Sequence, residues 1–531
     1  MNKKMFLYLS IITFGTAPAK ADNCSRNDSC DTEITSRTYL SVRPLFQSAS
    51  PELITGFRED RPQASEDGIK GAFQAVLFGS ASLLSDKMQR YFTPFGKIEL
   101  IVDESAPNTN APNNVPRDLL ATNFNIFTQK QNFRSKISFE PERTEFGLGL
   151  HYRQSFCRNE EKNRGFFFSA STPITHVKTE FKLIEKVLNT GDGVNKAANN
   201  VVVANMKEAF NQEDWHFGRI PSGCNSSQSK TGLADMELKI GMEWADREPC
   251  HIESYMGLMV PTGNRPNARY LFEPVIGHGK HVGFMTGSAF GARIWHNEAE
   301  NRVLRAEYAM HSNYFFKARQ VRSFDLQHKP FSRYMPVYAN KQEAEQAAAL
   351  EATNPEHAKN SSTPGINVFT QQVDVTPGFQ YNITSAIVFT CNKGFQAEGG
   401  YNFFAHRSEC VQLACPWVPG PALKHFAGKG LTNPVRNISG ILLIEDQENT
   451  FEAEHALDQY ENNQIQEEDL DLASASNPCV LSHTFFGSIG YRWDDRDYPL
   501  MTHLGGSYEF SNANNASIER WTLWAKCGVS F

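Results

Sequence analysis

Carboxylate and ammonium side chains recur at every second position in several segments of this sequence. Within residues 234–244, Asp235, Glu237 and Lys239 alternate with apolar residues, so a β-strand would place these charges on one face. Acidic and basic groups are nearly balanced. Where such a face meets an aqueous passage, its charges order water and set ion selectivity. The candidates for this pore-lining role are Asp235, Glu237, Lys239, Glu243, Arg305, Glu307, Glu398, Arg520 and Lys526.

The segments that carry these charges have the pattern of unusually long strands. Apolar and polar residues alternate over about 10 to 16 residues, whereas strands of globular proteins usually have five or six. Many of the segments begin or end on aromatic residues. A tilted strand crosses a bilayer with about 9–11 residues and often has aromatic residues at the water interfaces. We predict strands near 71–79, 144–156, 164–182, 233–246, 251–260, 282–296, 302–317, 376–391, 395–406, 480–493, 498–510 and 517–531.

The connections between these strands alternate between short and long. Outer-membrane barrels have this rhythm, with tight periplasmic turns and long external loops. Two weaker strand candidates, 38–47 and 92–103, would raise the count from 12 to 14, and we favour 14 although Pro44 cannot donate to a ladder. The predicted long loops are 104–143, 185–232, 261–281, 318–375 and 407–479.

The first 21 residues predict a cleaved secretory signal peptide. Two lysines precede an apolar stretch of about a dozen residues, and the sequence Ala-Lys-Ala ends at residue 21. The apolar stretch is shorter than the roughly 20 residues that a membrane-spanning helix needs. Residues 22–37 would then form a periplasmic N-terminal segment, followed by the barrel over 38–531. The formal net charge of −7 argues against nucleic acid as a partner.

The chain ends in the sequence ERWTLWAKCGVSF, in which one alternating row is apolar. Together with the signal peptide and the strand–loop rhythm, this ending resembles the C-terminal strand of Gram-negative outer-membrane β-barrels, which include the porins. In that family the assembly machinery reads this strand. The resemblance implies that the barrel assembly machinery and outer-membrane lipid are partners, and that the chain could form a homo-oligomer, as porins often do. The implied assembly signal is Trp521, Leu523, Val529 and Phe531.

We therefore expect an all-β fold: a single transmembrane antiparallel barrel of about 12–14 strands with long extracellular loops, in the cell outer membrane. Because charges buried without water or a partner cost several kcal/mol, a hydrated lumen is favoured. The expected function is porin-like, the passive diffusion of small hydrophilic solutes. Two alternatives remain open. One is a surface-exposed structural or adhesin barrel whose pore is plugged, by residues 22–37 or by an infolded loop. The other is a transporter of hydrophobic compounds, which should have an apolar lumen and an N-terminal plug.

Catalytic and metal-binding motifs are absent. The sequence has no G-x-S-x-G, no H-E-x-x-H and no glycine-rich phosphate loop. His278 and His281 lie in the sequence GHGKHVG and could bind a metal, although two histidines in a glycine turn more often bind nothing. Ser385 and His483 fall on outward rows, as in barrel phospholipases, but no pattern brings them together. We expect no enzyme activity, no catalytic residue, no cofactor and no metal.

Two of the predicted loops have a composition of their own. Alanine, glutamate and glutamine dominate residues 341–352, which predicts a helix, either on the surface or folded inward to narrow a pore. Residues 445–471 carry eleven carboxylates and no lysine or arginine, as expected of a solvated loop. Four cysteines on external loops suggest two disulfides, whereas Cys527 should face lipid and stay free. The four loop cysteines are Cys224, Cys410, Cys415 and Cys479.

Overall fold

Twelve antiparallel strands close into one barrel in the computed structural model of the chain. The structure describes residues 36–56, 70–104, 118–128, 132–159, 164–191, 203–221, 226–247, 249–299, 301–327, 329–351, 362–391, 394–423, 464–493, 497–511 and 517–531. The predicted signal peptide lies outside these residues. The barrel strands are β1 (Lys70–Ser82), β2 (Arg134–Asn159), β3 (Arg164–Asn189), β4 (Met236–Arg247), β5 (Cys250–Val260), β6 (Gly283–His296), β7 (Arg302–Phe315), β8 (Gln380–Cys391), β9 (Phe395–His406), β10 (Val480–Trp493), β11 (Leu500–Phe510) and β12 (Arg520–Ser530).

Each barrel strand pairs with its neighbours in chain order, and β1 pairs with both β2 and β12, which closes the cylinder. Closure matters because lipid offers no hydrogen-bond partner to an open edge. At the closing seam, the register sets Ala72 opposite Ser530 and Ser82 opposite Arg520. The predicted all-β antiparallel barrel is confirmed, with 12 strands.

The two ends of the barrel differ as the loop pattern predicted. Connections of about two to six residues join the strands at one end, here called the turn end, which also holds the start of β1 and the end of β12. The other end, the loop end, carries the connections 83–133, 190–235, 261–282, 316–379 and 407–479, and the shorter 511–519. None of the helices in the described ranges is long and apolar enough to cross a membrane.

Side chains alternate between an apolar outer face and a polar inner face. In β12, Leu523 is 59% exposed, whereas its neighbour Trp524 is 3% exposed and points inward. Large apolar side chains this exposed form a belt on the outside of the barrel, as a bilayer requires. Cys527 lies on the outer face and is free, as predicted. The middle of the belt includes Leu77, Phe146, Ile240, Ile387, Phe485, Leu504 and Leu523, which are 46–62% exposed.

The loop-end connections form a folded cap over the barrel. Two buried apolar clusters hold it together, one around Phe124, Phe210 and Tyr334, the other around Phe369 and Trp417. The cap strands are Leu100–Asp103, Leu119–Leu120, Ser227–Leu233, Ala318–Ser323, Asp325–Leu326, Pro336–Val337, Thr363–Pro364, Thr370–Thr376, Cys410–Leu413 and Leu470–Asp471. The α-helices are α1 (Pro51–Ile54), α2 (Ser85–Phe92), α3 (Met206–Ala209), α4 (Lys341–Glu351) and α5 (Gly365–Val368). The 3₁₀ turns are Pro94–Gly96, Ala121–Phe124, Ser332–Tyr334, Glu467–Asp469 and Leu472–Ala475.

The helix predicted near 341–352 is present as α4, with Ala344 and Ala347 buried against Tyr338 and Ala422. It therefore packs within the cap. Most of the acidic run at 445–471 lies outside the described residues.

The two extra strand candidates are not barrel strands. Residues 92–103 include the end of α2 and a short strand that pairs with β2 beyond the barrel wall, because β2 and β3 are 26 residues long and extend into the cap. Residues 38–47 run from the cap into the interior of the barrel. Phe46 and Ala49 have positive φ angles of 62°, which no continuous strand would tolerate. The preference for 14 strands was therefore wrong.

The terminal residue completes the seam. The Gly71 N–H donates to the Phe531 carbonyl (2.7 Å), and the Phe531 N–H donates to the Gly71 carbonyl (2.9 Å). The Phe531 ring covers the Gly71 backbone so closely that a Cβ there would lie 2.1 Å from the ring. A side chain larger than glycine would thus displace the ring.

We expect Phe531→Ala to yield several-fold less folded barrel than the parent chain when exported in a Gram-negative host. The change removes both the ring over the seam and the end of the apolar assembly row. Phe395→Ala is the matched control, since Phe395 is 43% exposed at the same end and Phe531 is 39% exposed. Heat-modifiable migration on gels measures the folded fraction. Equal yields from the two variants would contradict the role of Phe531.

Candidate functional site

Residues 36–56, here called the lumen segment, run through the barrel from the loop end to the turn end. At the loop end, the Ser36 N–H donates to the Thr93 carbonyl and the Thr38 N–H to the Ser474 carbonyl, both at 3.0 Å. At the turn end, the Gly56 N–H donates to Oε2 of Glu398 (3.1 Å). Ser36 and Arg37 are the described end of the segment that the sequence analysis assigned to the periplasm, and they lie in the cap.

The middle of the lumen segment is bound by two charged residues of β4. The Ser48 N–H donates to Oε1 of Glu237 (3.2 Å), and the Ser48 hydroxyl donates to Oε2 of the same carboxylate. Lys239 Nζ donates to Ser48 Oγ (2.6 Å) and lies 3.5 Å from Glu237. Two side chains predicted to face a pore therefore hold a backbone turn that fills it.

The opposite wall binds the carbonyl groups of the same turn. Asn382 Nδ2 donates to the Ser48 carbonyl (2.9 Å), and the Thr384 hydroxyl donates to the Ala49 carbonyl. Asn402 Nδ2 links the two wall residues, donating to Oδ1 of Asn382 (2.6 Å) and Oγ1 of Thr384 (2.7 Å). Strands β4, β8 and β9 thus bind the lumen segment from opposite sides of the barrel.

One turn further along, β1 and β12 hold the carbonyl group of Leu53. Gln74 Nε2 donates to it at 3.1 Å, and Lys526 Nζ donates at 3.0 Å. The Glu52 carboxylate accepts the Phe46 N–H (2.7 Å), which closes the segment on itself around α1.

Apolar side chains fill the space between these polar contacts. Leu45, Phe46 and Leu53 of the segment belong to one buried cluster with Phe78 and Trp524 of the wall. Phe46 stacks on Phe78 with ring centroids 6.2 Å apart. The wall makes room with Gly149, where a Cβ would lie 2.4 Å from the Phe46 ring. The segment is therefore shaped to the wall as well as hydrogen-bonded to it.

Other predicted pore-lining charges pair within the wall or at its rim. Glu243 accepts from Arg153 Nη2 (2.8 Å), which also donates to Glu253 (2.9 Å). Arg305 Nε donates to Glu307 (3.0 Å). Arg520 Nε donates to Glu509 (2.8 Å). The nine predicted residues all lie on the inner face or at its rim, and their role in lining a pore stays a prediction.

Asp235 has a structural role at the loop end. Its Oδ2 accepts the His278 N–H (2.6 Å) and lies 2.8 Å from Nδ1 of the same histidine. Gln47 of the lumen segment contacts the other ring nitrogen of His278 (2.8 Å). Gly277 permits this arrangement, because a Cβ there would lie 2.6 Å from the Asp235 carboxylate and its φ is +71°.

The two histidines of the glycine turn are fully engaged by protein groups. His281 Nδ1 lies 2.9 Å from the Phe316 carbonyl and Nε2 lies 2.9 Å from Gln320 Nε2. Burial lowers the pKa of His281, which favours the neutral form of the ring. Within the described ranges, no group of three or more histidine, cysteine or acidic side chains could hold a metal ion.

Four wall residues that hold the lumen segment were not singled out from the sequence. Gln74, Asn382, Thr384 and Asn402 are uncharged, whereas the predicted pore-lining residues are all ionisable. All four lie on inward positions of alternating strands, so including uncharged polar residues in the same rows would have found them.

The lumen retains a cavity of about 90 Å³ beside the segment. Ser48 and Leu53 border it on one side, and Lys239, Glu253 and Glu307 border it on the wall. Since a water molecule takes roughly 30 Å³ of liquid, the cavity has room for a few waters. It does not amount to an open pore.

The structure agrees in part with the prediction of two disulfides among the four loop cysteines. Cys410 and Cys479 are disulfide-bonded, whereas Cys415 is free. Cys224 lies outside the described residues.

Comparison with known proteins supplies no close relative. No family model and no curated protein matches the chain. Among solved structures, an outer-membrane channel from Pseudomonas putida F1 aligns over 87% of this chain and 96% of its own, with 8% identity and a TM-score of 0.36. The transport unit of the autotransporter AIDA-I from Escherichia coli aligns over 87% and 90%, with 7% identity and a TM-score of 0.33. A FadL homologue from Pseudomonas aeruginosa aligns over 87% and 90%, with 7% identity and a TM-score of 0.26.

Likenesses at these TM-scores carry no argument about function. The closed barrel, its apolar belt and the seam made by Phe531 stand on the structure alone. They confirm the resemblance drawn from the C-terminal strand: the chain has the architecture of a Gram-negative outer-membrane β-barrel, of a subfamily left open.

Proposed function

We propose that this chain is an outer-membrane channel for small hydrophilic solutes and that the lumen segment is its gate. The observation that carries the proposal is the polar fit between the segment and the inner wall. Ser48 and Ala49 meet Glu237 and Lys239 on one side and Asn382 on the other. In the conformation described, the segment occupies the path of a solute.

The chemistry of this contact favours a reversible gate. A hydrogen bond contributes only about 0.5–1.5 kcal/mol net, because water replaces the lost partner. If the segment left, the wall groups that hold it would be solvated by the water that enters. The lumen would then have the charged, hydrated surface that the sequence predicted. The neighbouring cavity already gives water a place beside Lys239 and Glu307.

A second candidate is a transporter of hydrophobic compounds. The presence of an N-terminal plug favours it, as does the apolar cluster of Leu45, Phe46 and Leu53 with the wall. The charged inner rows favour hydrophilic solutes. The two candidates share the gate and differ in the cargo.

A disulfide between the lumen segment and the wall should hold the channel closed. A Cβ built on Gly56 lies 2.5 Å from Cγ of His503, one bond from the Cβ of that histidine. This geometry is within disulfide reach, since bonded cysteines have Cβ atoms about 3.5–4.5 Å apart. We expect the oxidised double variant Gly56→Cys/His503→Cys to lose conductance steps in planar bilayers and to regain them on reduction.

The two single variants are the controls, because each carries one substitution without the bridge. They also report any effect of a side chain at Gly56, whose φ is +70°. Conductance that is the same in the oxidised and reduced double variant would refute a gate at this segment.

Removing one wall hydroxyl should have the opposite effect. Thr384→Val keeps the shape of the side chain but takes a donor from the Ala49 carbonyl and an acceptor from Asn402 Nδ2. Since an unmet buried polar group costs about 1–3 kcal/mol, we expect the open fraction to rise by about tenfold. Thr484→Val is the matched control: Thr484 is equally buried and inward-facing, and its hydroxyl has no hydrogen-bond partner in the described structure. Single-channel recording measures both. An equal rise in the two variants would mean that the wall, and not the segment, was disturbed.

Solute class is settled by uptake into liposomes that contain the reduced double variant. We expect swelling with small sugars or amino acids, and a loss of that swelling on oxidation. The liposomes could instead transfer a hydrophobic probe, without swelling in sugar, and lose that transfer on oxidation. This result would refute hydrophilic transport and support the second candidate.

A further inference from the structure

Two buried arginines meet where the lumen segment enters the barrel at the loop end. Arg43 belongs to the segment and Arg520 to the start of β12. Both line a cavity of about 20 Å³, together with Gln380, His406 and Glu509. The side chains of Arg43 and Arg520 are 5% and 4% exposed. A pair of guanidinium groups this deeply buried needs acceptors.

One carboxylate serves both arginines. Glu509 Oε2 accepts from Arg520 Nε at 2.8 Å, whereas Arg43 Nη1 is 3.6 Å from Oε1 of the same residue. Glu509 Oε1 also accepts from the Ser482 hydroxyl (2.6 Å). Arg43 Nη1 has a neutral acceptor in Asn402 Oδ1 (2.9 Å). Glu509 is therefore the carboxylate that lines the cavity, while Glu52 and Glu145 attract the arginines from outside it.

Several donors at the cavity have no acceptor. Within the described part of the chain, Nη1 and Nη2 of Arg520 and Nε of Arg43 are buried and make no hydrogen bond. Two other lining residues carry buried polar atoms without a partner in this part of the chain: Nε2 of His406 and the acceptor Oε1 of Gln380. Nη1 and Nη2 form the edge of the Arg520 guanidinium that matches the two oxygens of a carboxylate in a bidentate pair.

We propose that this cavity binds the carboxylate group of a small organic anion that enters from the loop end. The buried, unpaired donors of Arg520 select an acceptor, and their planar edge matches the two oxygens of a carboxylate. At about 20 Å³ the cavity is little larger than the roughly 10–15 Å³ that one water needs, so a planar two-oxygen head group fits it better than a tetrahedral phosphate.

The site lies between the wall and the lumen segment, so an anion bound there would act on the gate. This effect on the gate rests on the proposed function. An anion that pairs with Arg43 weakens the ion pair between Arg43 and Glu509. The carboxylate would then loosen the part of the segment between Arg43 and the turn end, while the attachment of Ser36 in the cap holds. A solute of this class would thus promote its own passage.

The test is calorimetric titration of the refolded full-length barrel in detergent with sodium acetate. Acetamide is the probe of the same shape without charge. We expect saturable acetate binding, no acetamide binding, and acetate affinity at least about tenfold weaker in Arg520→Gln. Arg319→Gln is the matched control, because Arg319 is an exposed cap arginine paired with Asp374 at 3.2 Å. Arg43→Gln tests the same site from the segment side if Arg520→Gln does not show the heat-modifiable migration of a folded barrel.

Absence of acetate binding to the parent barrel, or equal binding by Arg520→Gln, Arg43→Gln and the control, would overturn the site. Because the assay needs no conduction, that result would leave the gate to be judged by the disulfide experiment alone. Conversely, acetate could bind to a barrel whose conductance is the same in the oxidised and the reduced double variant. That result would support the anion site and refute the gate.

Discussion

Charged side chains sealed inside a barrel need partners, and this requirement governs the interior of the molecule. Removing an ion from water costs several kcal/mol, which only close opposite charge and hydrogen bonds offset. Some inner charges satisfy each other, as Arg153 does with Glu243 and Glu253. Others depend on the lumen segment: Lys239 donates to Ser48 and Lys526 to the Leu53 carbonyl. The wall charges therefore need either the segment or water beside them, and an empty, dry lumen is excluded.

The outside obeys a different constraint. Lipid satisfies no backbone group, so the sheet must close, and the terminal residue takes part in closing it through Gly71. The cap, by contrast, is stabilised like a soluble domain, by aromatic clusters such as Trp215 stacked on Tyr334 at 5.1 Å. Three environments thus lie along one chain: an apolar belt, a polar lumen and an apolar cap core.

The sequence predicted the parts of this arrangement that depend on periodicity. Alternation over long strands placed Leu523 outward and Lys526 inward, because a strand fixes the face of each side chain once the register is known. The lumen segment was missed because residues 36–56 have no period; their conformation follows from wall groups such as Asn382 and Thr384, which are distant in sequence. Pro44 was a usable signal, since it argued against a strand at 38–47. The folded cap was missed for the same reason, because its strands pair across long loops, as Asp325–Leu326 does with Leu470–Asp471.

The attachment of the lumen segment differs between its two ends, and this difference bears on how a gate could move. At the loop end, Ser36 donates to Asp325, whose carboxylate also accepts from Arg333, and these two residues are at most 1% exposed. Releasing Ser36 would remove hydrogen bonds to Asp325 and Phe331 at a place closed to water, and such buried bonds are costly to lose. Nearer the turn end, Leu53 and Gly56 are held through backbone groups that water can replace. Detaching the lumen segment at the turn end, while its loop end stays bound in the cap, therefore requires the least free energy. The cap would keep its structure while the lumen filled with water.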